Sequence, residues 1–244
     1  MWKNIGLEQC QSFIACQLRA PGGPFGAEDK PAVTISRMTG SGGRSVAAHL
    51  AEYLQAKTRP HCPWTVFDRN LVAKVLDEHY LPKWVAEYMP EDHRPLLTDT
   101  MEELLGLHPP SWTLVQQTSE TIWRLAKMGY VILVGRGGNI ITSKLSTVFH
   151  IRLVGSVERR VKRIQEAQKL SHADAVEFVK KEDHGRSRYI KEHFGKEIDD
   201  PLLYHLVINT DHLSEEEAAA LIGHAVVERF QLNRRALVSS EAEG

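Results

Sequence analysis

From Arg37 to Ser45 the chain reads Arg37-Met38-Thr39-Gly40-Ser41-Gly42-Gly43-Arg44-Ser45. Glycines, hydroxyls and arginines in so short a run suit the holding of phosphate. Glycine lets the backbone come close to an anion, free amides point at it, and a following helix N-terminus adds positive potential. In the standard phosphate loop a lysine and then Ser or Thr follow the last glycine. Two registers are open here. One sets Gly43 in the lysine's place, with Arg44 next and Ser45 as the hydroxyl. The other sets Arg44 on the lysine and Ser45 directly after it. In both, Ser45 can reach a Mg²⁺ ion and Arg44 is the cation inside the loop. A glycine-rich connection with no ligand is the competing reading.

Three further stretches could add to this chemistry. Asp68 ends the short apolar run Trp64-Thr65-Val66-Phe67, where ligands bind in open α/β sheets. It could equally cap a helix beginning near Asn70. Gly135-Arg136-Gly137-Gly138-Asn139 follows the most apolar run in the chain. Arginine recognises phosphate bidentately, although a solvated loop arginine is the plainer alternative. Ser156 caps a helix with Glu158 in its first turn, and Arg160 and Arg163 lie on one face of it. Such a charge run is either a solvated face or a set of cations turned toward a crevice.

The elements that must position these residues follow from periodicity. Ala32–Ser36, Trp64–Asp68, Tyr130–Val134, Val148–Val154 and His205–Asn209 are short apolar runs that read as buried strands. Helical stripes separate them. One follows the first glycine loop through Val46, Ala47, Leu50, Ala51 and Leu54. Another runs through Trp112, Val115, Ile122 and Leu125 to Met128 and stops at Gly129. Ser171 starts a helix that leads into a polar, arginine-bearing hinge at 180–189. Ser214 and Glu217 form a capping box for a last helix reaching about Phe230. Residues 80–110, punctuated by prolines, read as two or three short helices in a flap. Ile5, Leu7, Phe13, Ile14 and Leu18 line a short N-terminal helix, followed by a Pro/Gly linker. Strands alternating with helices imply a parallel sheet covered on both faces.

Composition bounds the function. The chain has 244 residues, 42% apolar and 25% charged, with a net charge of −1. That length buries a full core, and the charge balance supplies no field for nucleic acid or an anionic membrane. Cys10, Cys16 and Cys62 are an odd number without paired-ligand spacing, which suits a reducing compartment and argues against zinc. No apolar run approaches membrane-spanning length, and a signal-peptide core is lacking. A cytoplasmic protein is the expectation.

The order of these segments resembles the cytidylate kinase-like branch of the P-loop nucleoside monophosphate kinases. The resemblance rests on Thr34-Ile35-Ser36-Arg37 with Gly40-Ser41-Gly42-Gly43-Arg44, on Phe67-Asp68, and on Val134-Gly135-Arg136-Gly137. It continues through Ser156-x-Glu158-x-Arg160-x-x-Arg163, Asp183-x-x-Arg186 and Tyr204-x-x-Val207-Ile208-Asn209-Thr210, covering roughly 32–225. It implies a three-layer α/β/α P-loop fold with a five-stranded parallel sheet in the order 2-3-1-4-5. The kinase domain would span 32–232, with a helical flap at about 80–112 and a lid at about 171–195. Residues 1–31 would be an appendage and linker, and 233–244 a tail.

The implied activity is phosphoryl transfer from ATP, with Mg²⁺, to a nucleoside monophosphate such as CMP or dCMP. The implied ATP site comprises Arg37, Gly40, Ser41, Gly42, Gly43, Arg44, Ser45, Arg160, Arg163, Asn209 and Thr210. Asp68, Arg136 and Asp183 would meet the acceptor. Arg44, Arg136, Arg186 and Arg188 would act on the transferring group. Two departures stand out. Gly43 occupies the lysine's place, and Gly137 stands where cytidylate kinases proper have aspartate. A kinase of another small molecule and a nucleotide-binding regulator with little turnover are the rival readings. The partners expected are nucleotides, with the N-terminal segment and the flap as surfaces for a homo-oligomer.

Overall fold

The computed structural model describes residues 7–20, 30–58, 60–68, 110–135 and 137–232. Arg136, the flap up to residue 109, the helix expected near Asn70 and the tail at 233–244 lie outside these.

Five strands form one sheet: β1 (Ala32–Arg37), β2 (Thr65–Phe67), β3 (Val131–Val134), β4 (Val148–Val154) and β5 (Leu206–Asn209). Their order is β2-β3-β1-β4-β5, and every neighbouring pair is parallel. β1 is central, paired Ile35 to Val134 on one side and Ile35 to Ile151 on the other. The five expected strands therefore occur with ends shifted by a residue or so, and in the expected order. Strands buried on both faces read as unbroken apolar runs, which is why they are legible.

Helices cover both faces. α1 (Leu7–Arg19) precedes the sheet, α2 (Gly43–Thr58) follows β1, and α3 (Pro110–Met128) leads into β3. A single turn, α4 (Gly138–Ile141), follows β3. After β4 come α5 (Val157–Gln168) and α6 (His172–Phe194), and α7 (Glu215–Arg229) closes the fold. On one face Val33, Ile35, Ile132 and Ile151 pack against Leu50 and Leu54 of α2 and Ile222 and Val226 of α7. On the other, Val131 and Leu133 pack with Ile122 and Leu125 of α3 and with Phe13 of α1. The N-terminal helix is thus part of the core, with the Phe13 ring edge-on to Phe67 at 5.5 Å.

The caps at Ser156, Ser171 and Ser214 form as expected, and the Ser214–Glu217 box closes in both directions. Two expectations are corrected. The hinge expected at 180–189 is absent, because α6 runs unbroken through it. Arg186 pairs back onto Glu182 and Asp183 within the helix. Such neighbours each add a few tenths of a kcal/mol, against a cost of about 1 kcal/mol for Gly185. The cysteine count also misled, since Cys16 of α1 is disulfide-bonded to Cys62 before β2. A sequence separation of 46 hides a contact that only the fold creates.

Candidate active site

β1 ends at Arg37 and α2 begins at Gly43, so the intervening turn sits at the carboxyl edge of the central strand. Gly40 and Gly42 both have φ of +79°, a left-handed backbone that glycine takes without steric cost. A Cβ at Gly40 would stand 2.4 Å from the Arg160 carbonyl oxygen, and one at Gly42 would stand 2.7 Å from a Glu215 carboxylate oxygen. The loop is therefore pressed against α5 and α7 and can be built only from glycine at these points. Val46 N–H donates to the Gly42 carbonyl at 2.9 Å, starting the helix. The first-turn amides have no acceptor within the helix and are directed out of its N-terminus.

Asp183 of α6 binds this loop directly. Its Oδ1 accepts from Thr39 N–H at 2.7 Å and from the Thr39 hydroxyl at 2.6 Å. Its Oδ2 accepts from Arg160 at 2.6 Å, and Oδ1 also accepts from Arg186 at 3.1 Å. Arg186 donates to the Thr39 hydroxyl oxygen and to Glu182. α6 is thereby fastened to the glycine loop by one carboxylate and one guanidinium.

Arg160 and Arg163 brace the loop from behind. Buried Arg160 donates to the Gly155 and Thr39 carbonyls at 2.9 and 3.0 Å, besides Asp183. Arg163 donates to the Gly40 carbonyl at 3.4 Å and to the Thr210 hydroxyl and carbonyl oxygens at 3.1 and 3.0 Å. Thr210 is itself buried and donates to the Val154 carbonyl at 3.1 Å. Asn209 is exposed at the end of β5, its Oδ1 accepting from Asp211 N–H at 2.9 Å. Ser41 and Ser45 are buried, and the Ser41 hydroxyl donates to the Met38 carbonyl at 2.9 Å.

The remaining arginines divide sharply. Arg44 has a side chain 66% exposed and meets Asp68 at 2.8 Å, which directs it toward the end of β2. Arg188 is 64% exposed and faces Glu192 at 3.9 Å, with no contact to the loop. Arg37 lies across the loop. A Cβ on Gly43 would stand 2.9 Å from Arg37 Cγ, and one on Gly135 would stand 2.1 Å from its Nη1. Burial, then the nearby Arg186 and Arg44 charges, lowers the Arg37 pKa to about 10, with Asp68 and Glu182 acting the other way. Arg37 stays charged near neutrality.

Sequence reasoning passed over Arg152. It lies in the middle of β4, buried, and donates to the Ser36 hydroxyl at 2.8 Å and to Asp199 at 2.5 Å. Its guanidinium carbon is 5.8 Å from the Tyr204 ring centre. Arg37, Arg152 and Arg186 line one small cleft with Asp183 and Asp199. An arginine interrupting an apolar strand was the available signal. Of the expected residues, the structure gathers the loop, Arg37, Arg160, Arg163, Asp183, Arg186 and Thr210, with Arg44 and Asp68 paired at the rim. Arg136 lies outside the described residues, between Gly135 (φ +91°) and Gly137 (φ +71°).

A family model described as the cytidylate kinase-like family matches residues 32–212. No curated protein matches the chain. Among solved structures, an uncharacterized protein from Eubacterium ventriosum ATCC 27560 is 20% identical with a TM-score of 0.64, covering 82% of this chain and 99% of that one. That is a likeness of fold. Shikimate kinase from Bacteroides thetaiotaomicron and TT1252 from Thermus thermophilus are 11% and 16% identical, with TM-scores of 0.45 and 0.42. Each covers 82% of this chain and has 98% of its own length matched.

Proposed function

The chain belongs to the cytidylate kinase-like family, and from that premise we propose that it transfers the γ-phosphoryl group of ATP to a nucleoside monophosphate. CMP and dCMP are the first acceptors to test, with the diphosphate and ADP as products. The observation that carries this reading is the joint of lid and loop. Asp183 and Arg186 of α6 reach Thr39 at the mouth of a glycine turn that opens onto the α2 N-terminus.

Phosphoryl transfer is catalysed mainly by alignment and by offsetting charge on the moving group. The acceptor is already an ionised phosphate, so no general base is needed. The loop amides would hold the donor phosphates. Arg186, on the lid, would follow the transferring group, and Arg136 would hold the acceptor phosphate. Asp183, Arg160 and Arg163 keep the loop in shape for this work. The residues fit a magnesium nucleotide. Mg²⁺ is commonly held by one or two protein groups plus substrate phosphates, and no cluster of three or more His, Cys, Asp or Glu that could cage a metal exists among the described residues. The Ser45 hydroxyl is the protein ligand we assign. In this reading residues 32–232 are the kinase domain, α6 forms the lid, and residues 80–112 cover the acceptor.

Gly137 supports a second reading, a kinase acting on an acceptor other than CMP. A Cβ there would stand 2.9 Å from the Phe194 ring and 3.1 Å from Ile190. The aspartate of cytidylate kinases proper would require the Phe194 ring and the Ile190 methyl to shift, and a left-handed backbone at φ +71° that glycine takes most readily. A panel of nucleoside monophosphates and other phosphorylatable small molecules, incubated with Mg-ATP and read by ADP formation, tests both. ADP release dependent on a nucleoside monophosphate is the expected outcome. Tight Mg-ATP binding with no turnover on any acceptor would make the protein a nucleotide-binding regulator.

A further inference from the structure

The phosphate loop lacks the side-chain cation that its lysine ordinarily supplies, and Arg44, the residue next to the gap, is turned to Asp68 at 2.8 Å. The cations around the loop are otherwise engaged. Arg160 and Arg163 donate to loop carbonyls, Arg152 to Ser36 and Asp199, and Arg186 to Thr39, Asp183 and Glu182. Arg37 alone among them has no hydrogen-bond acceptor or ion-pair partner among the described residues.

Its path explains two glycines. The aliphatic stem passes over Gly43, where a Cβ would be 2.9 Å from Cγ, 3.2 Å from Cβ and 3.4 Å from Cδ of Arg37. The guanidinium reaches Gly135 at the end of β3, where a Cβ would be 2.1 Å from Nη1 and 3.0 Å from Cζ. A lysine at 43 and an arginine at 37 in this pose exclude one another. We propose, building on the kinase reading, that Arg37 is the donor-phosphate cation of this site. On that assignment the lysine's charge is supplied from the preceding strand, and Gly43 and Gly135 are the openings its side chain requires. A charged guanidinium among other arginines, crowded by the loop, is costly until an anion sits against it. A polyphosphate chain lying on the α2 N-terminus is the anion of matching charge and position.

The test separates this proposal from the kinase reading, because it is read first by binding. Arg37→Met keeps the stem over Gly43 and removes the charge. Mg-ATP and inorganic tripolyphosphate binding are measured by calorimetry on wild type, Arg37→Met and Arg44→Ala, with thermal melts to verify folding. Arg37→Met is expected to weaken both ligands at least tenfold with a melting temperature within a few degrees of wild type. Arg44→Ala is expected to change them less than threefold. A paired variant gives an independent check. Gly43→Lys alone should lose binding, and Gly43→Lys with Arg37→Gly should bind Mg-ATP more tightly than Arg37→Gly does. Unchanged binding by Arg37→Met, or no gain in the paired variant, overturns the proposal whatever the acceptor proves to be. Where wild type turns over an acceptor, Arg37→Met should lower kcat at least a hundredfold, whereas absence of turnover with the binding pattern intact overturns only the kinase reading.

Discussion

Asp183 serves two arginines and the phosphate loop with a single carboxylate. It accepts from Thr39 N–H, the Thr39 hydroxyl, Arg160 and Arg186, and so joins the loop to cations of two helices. Asp183→Asn keeps the shape but turns one oxygen into a donor facing a donor, and leaves Arg160 short of its counter-charge. Breaking such a partly buried pair should cost roughly 2 kcal/mol of stability. Turnover should fall at least tenfold, as the lid and loop lose their common fastening; urea denaturation and steady-state rates read the two effects. Arg136 makes a contrasting case. Placed between glycines at the end of β3, it should act on the acceptor alone. Arg136→Ala is expected to lower kcat/KM for the monophosphate by the equivalent of roughly 2–4 kcal/mol, while calorimetric ATP affinity stays within a few fold. An equal loss of ATP affinity would move it to the donor side.

At the scale of elements, what could be read in advance was whatever local chemistry decides. Strands buried on both faces announce themselves as apolar runs, and serine caps announce helix starts. The glycine turns are legible because left-handed backbone at 40 and 42 requires glycine. The route of Arg37 across two of those turns was not legible, since it depends on β3 lying beside β1. Arg152 was missed for the same reason, as its partners Ser36 and Asp199 come from other segments. The seam between β4 and β5 carries a comparable surprise. The buried His150 ring shares a 2.9 Å hydrogen bond with the Thr34 hydroxyl through Nδ1, and the His150 backbone N–H donates to His205 Nδ1 at 2.9 Å. Burial, then the His205 and Arg229 charges, pushes the His150 pKa down to about 4. The sign follows from linkage. A folded-state pKa below the unfolded value of 6.5 means that the unfolded chain binds more protons between those values. Stability is therefore fully present above about pH 6.5 and falls as the pH drops toward 4, by roughly 2–3 kcal/mol. His150→Gln should flatten that part of a stability-versus-pH curve measured by denaturant unfolding.

At the scale of the described molecule, the candidate site lies along the carboxyl edge of the sheet and a covalent tether joins α1 to the turn before β2. α1 lies against the core through Phe13 and Ile14, both buried, and buried Gln17 donates to the Gly129 carbonyl at 3.4 Å. The Cys16–Cys62 bond joins this helix to the turn before β2, the strand whose end carries Asp68. Composition alone pointed to free thiols, whereas the fold places Cys16 and Cys62 within bonding distance. A cross-link closing a loop of this length removes chain entropy from the unfolded state, worth up to about 4 kcal/mol. Cys16→Ser is expected to lower the unfolding free energy by roughly 2–4 kcal/mol, and a reductant should lower the wild type by the same amount while leaving the variant unchanged. Alkylation of the denatured, unreduced protein should modify one cysteine, and after reduction three. Three modified cysteines before reduction would mean that α1 is held by non-covalent contacts such as those of Phe13, Ile14 and Gln17. The reductant would then have no effect on wild-type stability, and Cys16→Ser would cost only the contacts of one half-buried sulfur.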